Sequence, residues 1–138
     1  MFAGNEPLFR GLYIHDKWDW SRKSPVIRIS FANGVLHSRE ALDRIIFDLL
    51  RVNREDLGLD YPSPPDTSSA FAELIRQAHA AHGERVVVLI DEYDKPILDN
   101  ITDPAIAAQM RDGLRNFYST IKGADEHIRF TMLTGASK

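Results

Sequence analysis

The sequence contains no cysteine among its 138 residues. A disulfide scaffold, a zinc site built on thiolates and a thiol nucleophile are therefore all excluded. The longest purely apolar run, residues 86–90, is far shorter than the ~20 residues that a membrane helix needs. The amino terminus has neither the basic start nor the apolar stretch of a signal peptide, so we expect a cytoplasmic protein without a membrane partner.

A strong excess of one charge is also missing. Seventeen Lys and Arg residues stand against 20 Asp and Glu residues, and the net charge is −3. This balance argues against a broad nucleic-acid-binding face, although it leaves room for a local basic patch. Hydrophobic residues make up 43% of the chain, which is enough to bury a core, and the length suits one domain or part of one.

The glycine-rich loops that cradle phosphates are absent as well. No Gly-Lys pair occurs, so the G-x-x-x-x-G-K-[ST] pattern of a phosphate-binding loop is missing. The G-x-G-x-x-G pattern is missing too, so a dinucleotide site has no support. This chain therefore carries at most half of a nucleotide-binding site.

What the sequence does contain is an alternation of strands and helices. β-rich runs predict strands at residues 25–31, 86–90 and 128–134, and the continuous Val and Ile of the second run indicate a strand buried on both faces. Apolar residues at helical spacing predict a helix after Ser38, another from residues 67–69 to Gly83, and a third after Asp103-Pro104. In the third helix, Gly113 is a mild weakness.

The order β-α-α-β-α-β predicts an α/β fold with a parallel sheet and crossover helices. Ligands of such sheets bind at the carboxyl ends of the strands. We therefore expect Ser30, Asp91, Glu92 and Thr134 to lie along the functional edge.

Two carboxylates, Asp91 and Glu92, directly follow the central strand. In nucleotide hydrolases such a pair has a clear use, because the first acid holds Mg²⁺ and the second polarises the attacking water. The plainer alternative is that Asp91 caps a turn and Glu92 is solvated. Thr134, at the tip of the next strand, can hydrogen-bond the water or the phosphate, although a Thr before a Gly is more often simple turn chemistry.

Four longer segments carry a family resemblance: residues 8–20 (LFRGLYIHDKWDW), 86–97 (VVVLIDEYDKPI), 110–122 (MRDGLRNFYSTIK) and 129–138 (RFTMLTGASK). Together they resemble the predicted AAA-ATPase-like family of P-loop proteins, over essentially the whole chain. The resemblance implies a three-layer AAA-type fold with ATP and Mg²⁺ as ligands. It makes Asp91 and Glu92 the Walker B pair, with Asp91 on the metal and Glu92 catalytic, and Thr134 the sensor.

The resemblance also implies that residues 1–138 are one partial AAA-ATPase-like domain, an internal fragment whose P-loop strand is missing. That strand belongs next to the strand at 128–134, so this edge is expected to be exposed and to favour homo-oligomers or docking to the missing parts. Such a fragment is expected to hydrolyse ATP poorly or not at all. Nucleic acid is implied only through a nuclease-like domain that often follows in the family.

Other residues leave alternatives open. Trp18 and Trp20 suit a stacking platform, but packing of a loop on the sheet is the plainer interpretation. His79 and His82 have metal-like helical spacing without an evident third ligand. Tyr93, Asp94 and Lys95 do not match the nuclease pattern, although Asp91, Glu92 and Asp94 leave a metal-dependent hydrolase as a weaker hypothesis. Three basic residues share the long third helix, where a solvated face is the plainer interpretation and contact with a neighbouring subunit or nucleotide is the alternative: Arg111, Arg115 and Lys122.

Overall fold

A computed structural model describes residues 24–60 and 64–135 of the chain. In chain order its elements are β1 (Val26–Ser30), α1 (Arg39–Asp56), α2 (Thr67–His82), β2 (Val86–Asp91), α3 (Lys95–Leu98), α4 (Pro104–Gly123), a 3-10 helix (Asp125–His127) and β3 (Ile128–Leu133). The three predicted strands and three long helices are confirmed, and the strand ends differ from the predictions by one residue. The two tryptophans lie outside the described residues.

The three strands form one parallel sheet in the order β1-β2-β3. The central strand β2 therefore has a neighbouring strand on each side, and its residues are buried on both faces, as its apolar run predicts. Val86, Val88 and Ile90 face the helices, while Val87 on the opposite face is also fully buried. The carboxyl ends of all three strands meet at one edge of the sheet, and this arrangement places the candidate site.

The long helices lie on one face of the sheet. α1, α2 and α4 all contact one another, and the rings of Phe71 and Phe117 stack at 4.5 Å between α2 and α4. Both crossovers step in the same direction across the sheet, so crossovers of one hand place every helix on the same side. The described residues thus form two layers, and the three-layer arrangement stays a prediction. No helix in this part of the chain is both long and apolar enough to cross a membrane.

Gly113 lies where α4 packs against α1. A Cβ atom built on this residue would lie 2.9 Å from both Arg39 Nε and Leu42 Cδ2. Real Cβ atoms do not approach other heavy atoms so closely, and Leu42 is fully buried. The glycine that looks like a weakness of the helix in the sequence therefore makes room for two side chains of α1.

The outer edge of β1 is occupied by a side chain. Asn53, buried in the last turns of α1, accepts from Arg28 N at 2.9 Å and donates to Arg28 O at 2.8 Å. Its amide also donates to Leu49 O at 2.8 Å. Because the amide supplies a donor and an acceptor side by side, it satisfies the N–H and C=O groups of Arg28 much as a neighbouring strand would.

Candidate functional site

The predicted acidic pair and the predicted threonine come together at the carboxyl edge of the sheet. Asp91 ends β2, and Glu92 follows it. Thr134 follows β3, the neighbouring strand, and its Oγ1 donates to Asp91 Oδ1 at 2.6 Å. Because β2 and β3 are neighbouring strands, Asp91 and Thr134 are in direct contact at this edge.

Thr134 also organises the backbone of this edge. Its Oγ1 accepts from Glu92 N at 3.2 Å, its carbonyl accepts from Tyr93 N, and its own N–H donates to Ile90 O. A hydroxyl has one proton, and here that proton is committed to Asp91. Thr134 therefore fixes both the orientation of the Asp91 carboxylate and the path of the chain through Glu92.

Glu92 has an unusual backbone. Its φ is +53°, and it is the one non-glycine residue with a positive φ among the described residues. This left-handed conformation costs an L-residue roughly 1–2 kcal/mol, and it persists only where the surroundings impose it. Two sets of hydrogen bonds impose it here. One set involves Thr134, and the other is the bond that Lys95 N donates to Glu92 O. Backbone strain of this kind is concentrated at functional sites, and it therefore favours a functional role for Glu92.

The turn after Glu92 is supported by α4. The Tyr118 hydroxyl donates to Tyr93 O at 2.7 Å, and the two rings meet edge to face with centroids 6.2 Å apart. Burial, followed by the nearby Asp94 and Tyr93, raises the pKa of Tyr118 well above its ordinary value. The hydroxyl therefore stays protonated and keeps donating to this turn.

Ser30 lies at the predicted edge, but its hydroxyl bonds its own turn and not Asp91 or Glu92. It lies opposite Asp91 in the register of β1 and β2, and its Oγ accepts from Ala32 N at 3.3 Å. The side chain thus caps its own turn. The end of β1 is instead joined to β2 by a backbone hydrogen bond, which Phe31 N donates to Asp91 O at 3.1 Å.

Two residues that sequence reasoning missed tie the loop after β1 to the segment after β2. Lys95 Nζ donates to Gly34 O at 2.8 Å and to Asp99 Oδ2 at 2.6 Å. Asn100, which is buried, donates to Leu36 O and Pro96 O and accepts from His37 Nδ1. The helical spacing of Lys95 and Asp99 is a readable signal for their pair, but no local pattern marks the contacts to the β1 loop.

The other metal hypotheses gain no support from the geometry. Within residues 24–60 and 64–135, no three His, Asp or Glu side chains are placed to hold a metal ion together. Asp91, Glu92 and Asp94 are thus not gathered into a three-carboxylate centre. His82 donates to Leu57 O, and His79 contacts His127 instead of sharing a ligand with His82. The three basic residues of α4 are exposed to solvent: Arg111, Arg115 and Lys122.

An open groove of about 540 Å³ lies at the other end of the strands. Arg28, Asp56 and His82 are among its lining residues, and neither Asp91 nor Glu92 belongs to it. The acidic pair lies instead on an open edge of the sheet. We place the candidate site at that edge because carboxyl ends of parallel strands are where such folds bind ligands, and because the strained residue is there.

Comparisons with known proteins identify the family of the chain. The chain is 60% identical, over all 138 residues, to a protein of Azotobacter chroococcum mcd 1 described as "Uncharacterized protein in vnfD 5'region". The chain spans 27% of the length of that relative. No solved structure matches the chain. A family model described as "Predicted AAA-ATPase" matches residues 1–138, and the chain therefore belongs to the predicted AAA-ATPase family.

Proposed function

We propose that this chain supplies the Walker B and sensor part of an ATP-binding and ATP-hydrolysing site. Asp91 holds Mg²⁺, Glu92 polarises the attacking water, and Thr134 is the sensor. The observation that carries the proposal is the 2.6 Å bond between Thr134 Oγ1 and Asp91 Oδ1 at the end of the central strand. Membership of a predicted AAA-ATPase family supports the choice of ATP.

The residues present suit a magnesium-bound nucleotide. Asp91 is exposed, and its carboxylate has a second oxygen besides the one that Thr134 bonds. Mg²⁺ prefers oxygen ligands and usually keeps several waters, so one carboxylate together with phosphate oxygens is a sufficient protein contribution. When bound, the metal neutralises charge that develops on the phosphates.

Glu92 and Thr134 have different tasks in this proposal. The side chain of Glu92 is only partly exposed, and its backbone is held in a left-handed conformation, which fixes where the side chain leaves the chain next to Asp91. Positioning of this kind is most of what a nucleotide hydrolase contributes to catalysis. Thr134 acts on both acids, since its hydroxyl bonds the Asp91 carboxylate and the Glu92 amide.

The phosphate-binding half of the site is not encoded in these 138 residues, because the sequence has no Gly-Lys pair. Backbone N–H groups and a lysine normally hold the β- and γ-phosphates there. The chain alone is therefore proposed to bind nucleotide weakly and to hydrolyse it poorly. Turnover requires a polypeptide that adds a phosphate-binding loop.

The test is made in such a longer polypeptide, with turnover and nucleotide binding measured separately. Glu92→Gln removes the base but keeps the size, so it should abolish turnover while nucleotide still binds. Asp91→Ala should weaken binding of Mg·ATP itself. Asp112→Ala, at an exposed position on α4, is the matched control and should change neither. Undiminished turnover in Glu92→Gln would exclude Glu92 as the base.

A second candidate function is a non-catalytic module that docks through the edge of β3. The described part of the sheet pairs β3 with β2 alone, and Met132 and Leu133 on β3 are 47% and 48% exposed. The opposite edge differs, because Asn53 occupies it. Association of this kind should give concentration-dependent sedimentation that is suppressed by Leu133→Lys. A monomer at every concentration, together with a cooperative melt, would remove this candidate.

A further inference from the structure

Two histidines from distant parts of the chain contact each other through their ring nitrogens. His79 lies in the last turn of α2, and His127 ends the 3-10 helix just before β3. Their Nδ1 atoms are 2.8 Å apart, and the rings meet at 66° with centroids 5.1 Å apart. Both side chains are half-buried. The contact therefore joins α2 to the start of β3, the strand that precedes Thr134.

Such a contact depends on the number of protons. One Nδ1 must carry a proton and donate, and the other must offer its lone pair and accept. Two neutral rings satisfy this requirement, and so does a pair with one charged ring. When both rings are charged, both Nδ1 atoms are donors, and two N–H groups would point at each other across 2.8 Å. The contact must then open.

The surrounding charges do not remove this conflict. Glu126 Oε1 lies 3.5 Å from His127 Nε2, on the far side of the ring from His79, and it is largely exposed. On α2, Arg76 is paired with Glu73, and His82 donates to Leu57 O. Asp125 in the 3-10 helix and Lys122 near the end of α4 are exposed. None of these groups supplies the pair with a second acceptor at Nδ1.

We propose that His79 and His127 form a proton-sensitive brace, which holds the start of β3 against α2 and opens when both rings are protonated. Because only the doubly protonated pair loses the contact, lowering the pH opens the brace. The folded chain with a closed brace binds fewer protons than the unfolded chain at low pH. Its stability must therefore fall as the pH falls, with the folding equilibrium constant losing up to about tenfold per pH unit.

The experiment compares urea unfolding of the 138-residue chain and its variants at pH 8, 7, 6 and 5. His79→Gln, His127→Gln and the double variant remove the pair, and His82→Gln is the matched control on the same helix. The folding constants of the chain and the control should drop by tenfold or more relative to the double variant between pH 7 and pH 5. Parallel curves for all variants would overturn the proposal.

A second measurement covers the case in which a variant does not fold. Imidazole ¹⁵N signals of the unsubstituted chain are followed as the pH is lowered. The brace predicts that His79 and His127 together take up one proton, and that the second enters only as the signals of β3 shift. Two independent, complete titrations with β3 unchanged would contradict the brace. Neither measurement depends on nucleotide, so failure here and failure of the proposed ATPase role are distinguishable.

Discussion

Thr134 and Asp91, 43 residues apart in the chain, are joined by a 2.6 Å hydrogen bond between a hydroxyl and a carboxylate. The bond links the ends of two neighbouring parallel strands, and the same hydroxyl accepts the Glu92 N–H. The side chain of Thr134 thus orients the Asp91 carboxylate and holds the backbone of Glu92. The energetic consequences of this arrangement can be measured without any ligand.

Thr134→Val keeps the shape of the side chain and removes both hydrogen bonds. The free energy of unfolding should fall by about 1 kcal/mol, since the site is open to solvent and the lost bonds are partly replaced by water. Thr134→Ser keeps the hydroxyl and should stay within about 0.5 kcal/mol of the parent. Chemical denaturation of the three proteins measures the difference. Equal stability of the Val variant would show that the bond does not order this edge.

Glu92 is predicted to be a position where the native residue is not the most stable one. Its φ of +53° suits glycine, so Glu92→Gly should raise the free energy of unfolding by about 1 kcal/mol. Glu92→Gln keeps the strained backbone and should leave stability nearly unchanged. Thermal melts of both variants give the comparison. A Gly variant less stable than the Gln variant would mean that the backbone is not strained.

Gly113→Ala should destabilise the protein although alanine is the better helix former. The new Cβ would meet Arg39 and the buried Leu42 at 2.9 Å, and relieving this overlap should cost about 1–3 kcal/mol. Gly123→Ala, at the end of the same helix with nothing within 4 Å, is the matched control and should be neutral or stabilising by up to about 1 kcal/mol. The melting temperature should fall for Gly113→Ala and should stay level or rise for Gly123→Ala. A stabilised Gly113 variant would contradict the close packing of Arg39 and Leu42 against α4.

Asn53→Ala should lower the free energy of unfolding more than most substitutions of a polar residue. It leaves the N–H and C=O groups of Arg28 without the side-chain amide that now bonds both, and we expect a loss of about 2–3 kcal/mol. Asn116→Ala, at an exposed site on α4, should change stability by less than about 0.5 kcal/mol. Urea midpoints measure both effects. Amide exchange at Arg28 should also quicken in the Asn53 variant, and unchanged exchange would count against the edge contact.

The parallel sheet and the edge that carries the candidate site can be predicted from the sequence because local patterns encode them. The β-branched run before Asp91 identifies the central strand, and the alternation of strands and helices identifies the edge where strand ends meet. These two facts place Asp91 and Thr134 on the same edge of the sheet, and their contact follows once β2 and β3 are neighbours. Helix starts were also predictable, since Ser38 and Asp103 both cap helices as their positions suggest.

The missed features are long-range contacts of single side chains. Asn53 bonds a strand 25 residues earlier, Asn100 bonds a loop 64 residues earlier, and His79 meets His127 across 48 residues. No period or spacing in the sequence connects such partners. The left-handed backbone of Glu92 was equally hidden, because it arises from the bonds of Thr134 and not from a residue type that favours it.

Asp91, Glu92 and Thr134 are the proposed binding site of Mg·ATP on this chain. Titration of the chain with ATP and with Mn²⁺ in place of Mg²⁺ tests this site directly, because paramagnetic broadening of amide signals detects weak binding. Binding at this site predicts broadening centred on residues 91–94 and 134–135 that needs ATP, disappears in Asp91→Ala and persists in Asp112→Ala. Broadening centred elsewhere, or unchanged by Asp91→Ala, would contradict it.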